Sequence, residues 1–71
     1  MDITIKHYLA RIRNSQNKTS WKIRKMVSYI NTLISEYRLT AMKFRGYVRK
    51  YSNAEANLLE RELKEAMKNA G

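Results

Sequence analysis

Hydrophobic residues recur at helical spacing along most of the chain, beginning near its N-terminus. Ile5, Leu9 and Ile12 lie three or four positions apart, and this spacing places side chains on one face of an α-helix. Asp2 stands just before them, where its carboxylate can cap the helix. Residues 14–20 are polar and turn-prone. The pattern therefore predicts a first helix over about residues 3–13, followed by a loop.

A longer apolar stripe follows the loop. Its members are Ile23, Met26, Val27, Ile30, Leu33, Ile34 and Tyr37. Their spacing predicts a helix over about residues 20–38, capped by Thr19 or Ser20. Thr40 can cap a further helix over residues 40–51. The alternative is one unbroken helix from residue 20 to residue 50, because the apolar stripe continues at heptad spacing.

The last segment opens with a four-residue pattern that is typical of a helix start. Residues 52–55 read Ser-Asn-Ala-Glu and match the capping box, which predicts a helix over about residues 53–69. One side of this helix is lined by Leu59, Leu63, Ala66 and Met67. We expect a homo-oligomer, most simply a dimer, with these four residues at its interface. The alternative is that they close the core of the single chain.

Length and composition define the fold class. The chain has 71 residues, no proline, and only two glycines, which favours helices over a β fold with many turns. A chain this short buries only about 60% of the surface that its unfolded form exposes. We predict a single domain over residues 1–71, an all-α bundle of three or four helices.

Charge points to an anionic partner. Lys and Arg total 15 against 6 Asp and Glu, so the net charge is +9. Within residues 1–50 the only acidic side chains are Asp2 and Glu36. Such an excess repels itself unless a polyanion neutralises it. We expect nucleic acid as the partner, DNA rather than RNA, and we place an acidic membrane surface behind it.

Residues 33–48 carry a pattern of apolar, turn and capping positions. Leu33 and Ile34 begin the pattern, and Tyr37 is its next core position. Arg38 stands at the turn, Leu39 follows it, and Thr40 can cap the second helix. Phe44 is the apolar anchor of that helix, and Tyr47 and Val48 end the pattern. This order resembles the helix-turn-helix families of DNA-binding proteins. The resemblance implies that residues 40–51 form a recognition helix in the major groove. It also implies a bidentate contact from Arg45 to guanine.

The candidate site therefore combines the resemblance with the basic clusters. The expected nucleic-acid-binding residues are Lys22, Arg24, Lys25, Arg38, Thr40, Lys43, Arg45, Arg49 and Lys50, and further phosphate contacts are expected from Lys6, Arg11, Arg13 and Lys18. The cluster at residues 22–25 is informative because cations at the start of a helix oppose its dipole. A role in local helix stability does not explain such a cluster.

Catalysis is not expected. The chain has one histidine, His7, and no cysteine, so it offers neither a metal-ligand spacing nor a thiol nucleophile. General acid–base chemistry needs groups fixed within mutual reach, and no such set can be nominated. We therefore predict no enzyme activity, no cofactor and no metal.

Three functions remain open. The first is a transcription regulator of phage, plasmid or viral type that binds DNA through a helix-turn-helix. The second is a virion or nucleoid protein that coats nucleic acid without reading its sequence, and an unbroken helix through residues 38–40 would favour it. The third, a cationic amphipathic protein on a membrane surface, is the least expected. Because no signal peptide is visible, we expect the cytoplasm of a host cell or a virion.

Overall fold

A computed structural model describes residues 2–68 of the chain and contains three helices. They are α1 (Ile3–Asn14), α2 (Trp21–Lys43) and α3 (Tyr47–Lys68). Within residues 2–68 there is no strand. The predicted all-α bundle of three or four helices is confirmed, and the described residues form three. The predicted end of the last helix, residue 69, lies outside the described residues.

The first two helices begin where their capping residues predict. The Asp2 carboxylate accepts a hydrogen bond from the Thr4 backbone N–H at 3.0 Å. The Ser20 hydroxyl oxygen accepts from the Ile23 N–H at 3.4 Å, so Ser20 is the cap of α2. These bonds satisfy N–H groups that have no partner inside a helix. The two caps therefore fix the start of α1 and the start of α2, where the loop over residues 15–20 ends.

The predicted break after residue 38 is wrong, because α2 stays helical to Lys43. Thr40 lies inside the helix, where its hydroxyl donates to the Glu36 carbonyl at 2.9 Å. The chain turns instead over residues 44–46, and Gly46 there has φ +71°. A left-handed conformation costs other residues about 1–2 kcal/mol, and glycine adopts it freely. The alternative of an unbroken helix is therefore correct for residues 38–40. The helix ends at Lys43, however, and does not reach residue 50.

The predicted helix start at residues 52–53 is also wrong. Ser52 lies inside α3 and is only 3% exposed. The helix begins at Tyr47, and the Gly46 carbonyl accepts from the Lys50 N–H at 3.1 Å. A capping box is a pattern of only four residues and also occurs inside helices. Here the small Ser52 side chain packs inside the bundle instead of capping a helix.

The three helices run alternately up and down a bundle that measures 41 × 19 × 17 Å. Near the turn, Arg49 of α3 contacts the backbone of Ala41. At the far end, Val27 of α2 and Met67 of α3 line the same groove. α2 and α3 therefore lie side by side over their whole length. α1 packs on both of them, and its Arg13 reaches Glu62 of α3.

Each helix contributes one fully buried large side chain to the core: Ile12, Ile30 and Leu59. Leu63 and Ala66 belong to the same cluster. Burying a side chain of this size is worth about 1.5–3 kcal/mol. The core thus uses one face of each helix, as the apolar spacing predicts.

This packing corrects the predicted oligomer interface. Leu59, Leu63 and Ala66 are buried in the core of the single chain, which was the alternative left open for them. A second copy cannot contact them while the bundle stays folded. Of the four predicted residues, only Met67 keeps a sizeable exposed fraction, 40%. Association of copies stays a prediction, and it would need another surface.

Candidate nucleic-acid interface

Two of the predicted site residues are occupied by contacts within the bundle. The Arg38 guanidinium donates to the Asn57 side chain at 2.9 Å and to the Glu60 carboxylate at 3.4 Å. Arg13 pairs with Glu62 at 3.4 Å. Each arginine joins a different helix to α3. Their structural role is sufficient to explain their presence.

Two more predicted cations cap the ends of helices. The Lys18 ammonium group donates to the carbonyls of Ile12 and Arg13 at the end of α1. Arg49 Nε donates to the carbonyls of Ala41, at 2.9 Å, and Phe44, at 3.1 Å. The last carbonyls of a helix lack partners, and a positive charge suits that end of the dipole. Arg49 nevertheless remains an exposed residue.

Most of the exposed predicted cations are concentrated at two places, of which the larger surrounds the turn. We call residues 42–51 the turn surface, because every residue in this run is exposed. Its cations are Lys43, Arg45, Arg49 and Lys50, and its large apolar side chains are Met42, Phe44, Tyr47, Val48 and Tyr51. No acidic residue occurs in the sequence between Glu36 and Glu55. The turn surface is therefore both basic and apolar.

The aromatic side chains of the turn surface lie at the spacing of a core face, but they are not buried. Tyr47 is 79% exposed and Phe44 is 53% exposed. The physical reason is the length of α1. A helix of 12 residues is about 18 Å long, whereas α2, with 23 residues, is about 34 Å long. α1 is therefore too short to cover the whole α2–α3 pair, and residues 42–51, at the turn end, stay exposed.

The second basic place lies at the start of α2, and we call residues 21–25 the loop surface. Lys22, Arg24 and Lys25 are exposed there, and the indole of Trp21 is 70% exposed. The Lys25 ammonium group lies 4.5 Å from the centre of the Trp21 ring, a cation–π contact. Elsewhere, Lys6 and Arg11 lie exposed on α1.

The loop surface lies at the N-terminal, positive end of α2, whereas the turn surface joins the C-terminal end of α2 to the N-terminal end of α3. Neither α2 nor α3 has an acidic residue in its first turn. Basic side chains there raise a potential that the helix dipole already makes positive, and a bound anion would lower it. The two surfaces lie about 30 Å apart along α2, which is several Debye lengths at 0.1 M salt. They should therefore act independently of each other.

The structure divides the segment that the helix-turn-helix resemblance implies as a recognition helix. Residues 40–43 end α2, residues 44–46 form the turn, and residues 47–51 begin α3. Arg45, the implied guanine contact, lies in the turn. Thr40, the implied cap, lies inside α2. The segment forms the tip of a helical pair, so no single helix over residues 40–51 is presented to a groove.

Tyr37 marks where the body of the bundle meets the turn surface. Burial raises the pKa of its hydroxyl above the usual value, and the negative charges of Glu55, Tyr51 and Asp2 raise that pKa further. These groups belong to α3 and to the start of α1.

Comparison with protein-family models, curated proteins and solved structures finds no match to this chain. The fold and surfaces define a class only: a small, basic, three-helix bundle. Over residues 2–68 no helix is both long enough and apolar enough to cross a bilayer. In the same part of the chain, no group of three or more acidic or histidine side chains could hold a metal ion. The two basic surfaces are therefore the features of the described residues that bear on function.

Proposed function

We propose that this chain binds nucleic acid through the phosphate backbone, without reading the base sequence. The observation that carries the proposal is the turn surface. Lys43, Arg45 and Lys50 are exposed there, and the nearest acidic residues in the sequence are Glu36 and Glu55. The ion pairs within residues 2–68 are Arg13–Glu62 and Arg38–Glu60, both outside the turn surface.

Phosphate is the chemistry that such a surface fits. A lysine or arginine that contacts a phosphate releases condensed counterions, so exposed cations without carboxylate partners favour binding at low salt. The loop surface adds Lys22, Arg24 and Lys25 at the other end of the bundle. Phosphates are common to DNA and RNA, and the proposal covers both.

The continuity of α2 supports binding without base readout. Direct readout needs a helix or strand that enters a groove with several side chains aimed at base edges. Here α2 continues through residues 38–40 and then turns back into α3. Among the three functions considered from the sequence, this geometry favours a protein that coats nucleic acid in a virion or nucleoid. A regulator that reads DNA with a recognition helix is the competing candidate. Measuring Arg45→Ala on selected and unselected duplexes distinguishes the two.

The test compares two triple variants that remove equal charge. Lys43→Ala, Arg45→Ala and Lys50→Ala together strip the turn surface, and Arg61→Ala, Lys64→Ala and Lys68→Ala strip exposed cations from α3. Binding to a random duplex is titrated at several salt concentrations. The turn variant should lose at least about tenfold in affinity, and its salt slope should fall by about 2–3 units. The α3 variant should keep nearly all of both.

Both variants alter exposed side chains, so unchanged helical circular dichroism and melting serve as the folding control. Equal losses in the two variants would show that net charge matters and the turn surface does not. Failure of the unaltered protein to bind any nucleic acid in dilute buffer would end the proposal.

Specificity has its own experiment. Binding sites are selected from a random duplex pool, and Arg45→Ala is measured on the best selected sequence and on the unselected pool. We expect the same loss on both, because Arg45 meets phosphates from a turn. A loss that is about tenfold larger on the selected sequence would indicate a base contact and favour the regulator.

A further inference from the structure

We propose that the turn surface takes unpaired bases, so that single-stranded nucleic acid is its preferred ligand over duplex. The inference rests on the proposed function and adds the class of nucleic acid that the site recognises. It depends on aromatic rings that the phosphate-binding account leaves unused: Phe44, Tyr47 and Tyr51, all exposed within eight positions of one another.

Two of these rings form a platform. Tyr47 and Tyr51 are one helical turn apart on α3, with ring centroids 6.2 Å apart and planes only 19° from parallel. Phe44 lies at the other side of the turn, at the end of α2. Rings of this kind stack on the faces of bases with little dependence on which base is present. The platform thus adds affinity and keeps binding independent of sequence.

The charges around the rings determine the kind of partner. Lys43, Arg45 and Lys50 interleave with the aromatic positions along the chain. A second copy docked turn to turn would bring two uncompensated basic surfaces together, and like charges oppose such a contact. A strand of nucleic acid offers phosphates to the cations and base faces to the rings. It satisfies both halves of the surface.

Base pairing decides between single strands and duplex. In a duplex each base face is covered by its neighbours, and exposing it costs unstacking energy. A single strand can turn its bases outward at lower cost, and proteins that bind it combine a basic track with stacking aromatics. The turn surface has both components. Duplex can use only the cations, so it should bind more weakly.

The experiment uses three ligands of equal length: a twelve-nucleotide thymidine strand, an abasic deoxyribose-phosphate strand, and a duplex. The abasic strand keeps the phosphates and lacks the bases, so it separates stacking from charge. We expect the thymidine strand to bind the full-length protein at least about tenfold more tightly than the abasic strand, since each stacked ring is worth about five- to a hundredfold.

The matched variants change rings and keep apolar character. The triple variant Phe44→Leu, Tyr47→Leu and Tyr51→Leu should reduce thymidine binding to the abasic level and leave duplex binding unchanged. Tyr29→Leu, which removes an exposed aromatic ring from α2 outside both surfaces, should keep the preference. Equal binding of the thymidine and abasic strands would overturn the inference, as would a preference that survives the triple variant.

Two further outcomes separate this inference from the function on which it rests. If duplex and abasic strands bind as tightly as thymidine, phosphate binding stands and base stacking fails. If vesicles containing phosphatidylserine bind the protein while all three nucleic acids do not, both proposals fail. In that case the apolar and basic side chains of the turn surface would face lipid.

Discussion

The body of the bundle and the turn surface use the same kinds of residue in opposite ways. In the body, large apolar side chains such as Ile30 and Leu59 are fully buried, and Arg38 is bound by α3 side chains. At the turn surface, Tyr47 and Phe44 are exposed beside cations that have no neighbouring acidic residue in the sequence. The short α1 creates this difference because it covers only part of the α2–α3 pair. The body therefore holds the bundle together, and the turn surface keeps its apolar and basic side chains outside the core.

The largest expected effect contrasts a buried residue with an exposed one. Ile30→Ala should lower the free energy of unfolding by about 2–5 kcal/mol, because it removes buried methyl groups and leaves a cavity. Met42→Ala, at a position that is 76% exposed, should change it by less than about 0.5 kcal/mol. Urea unfolding followed by circular dichroism measures both. Similar losses would contradict the division into body and turn surface.

Gly46 tests the backbone of the turn. A Cβ at this position would meet nothing within 4 Å, so Gly46→Ala should cost about 1–2 kcal/mol through its positive φ alone. Gly46→Asn should cost less, because asparagine tolerates the left-handed region. The same denaturation experiment applies. An alanine variant as stable as the unaltered protein would show that the turn does not need this conformation.

A smaller effect on stability is expected when an arginine that contacts α3 side chains is compared with one that does not. Arg38→Met keeps the aliphatic stem but removes the guanidinium contacts to Asn57 and Glu60. It should lower stability by about 0.2–1 kcal/mol, since the pair is partly exposed. Arg45→Met should have no such cost and can raise stability by relieving repulsion. A stability loss at Arg45 equal to that at Arg38 would remove the distinction between them.

The smallest effect concerns pH. Burial, followed by the charge of Glu55, raises the pKa of Tyr37 above its usual value in the folded state. Its contribution to stability is therefore complete below about pH 10 and is lost as pH rises through the folded pKa. Tyr37→Phe cannot ionise, so its melting temperature should fall less between about pH 9 and pH 11. Identical falls in both proteins would contradict the shift.

Periodicity and caps predicted the body well. The buried faces of α1 and α2 follow the apolar spacing, and Asp2 and Ser20 cap them as expected. These features are local, because an apolar repeat and a side-chain oxygen act within one or two turns of helix. The predictions that helices start at Thr40 and after Ser52 were wrong. Such residues also occur inside helices, and the left-handed glycine at position 46 decided where the chain turned.

The sequence predicted the basic residues of the candidate site but not the exposure of its aromatic residues. The basic residues of the turn surface could be chosen from charge, but Phe44, Tyr47 and Tyr51 look like core residues because spacing shows a face without showing what covers it. What decides the exposure of these rings is the length of the helix that packs over that face. The lengths of the apolar stripes carry that signal, since the stripe in residues 3–13 is much shorter than the one after the loop. The sequence did not show that Arg13, Arg38 and Lys18 make contacts within the bundle. The carboxylates that pair with the two arginines are distant in sequence, and Lys18 donates to backbone carbonyls.

The most direct test of the account is to locate the contact on the protein itself. Backbone amide shifts in NMR spectra would be followed while the full chain is titrated with a twelve-nucleotide thymidine strand at low salt. We predict that the largest changes fall within residues 42–51, with smaller ones in residues 21–25, and that both disappear at high salt. Changes concentrated on the outer face of α3, or no changes at all, would contradict the claim that polyanions dock at the turn surface.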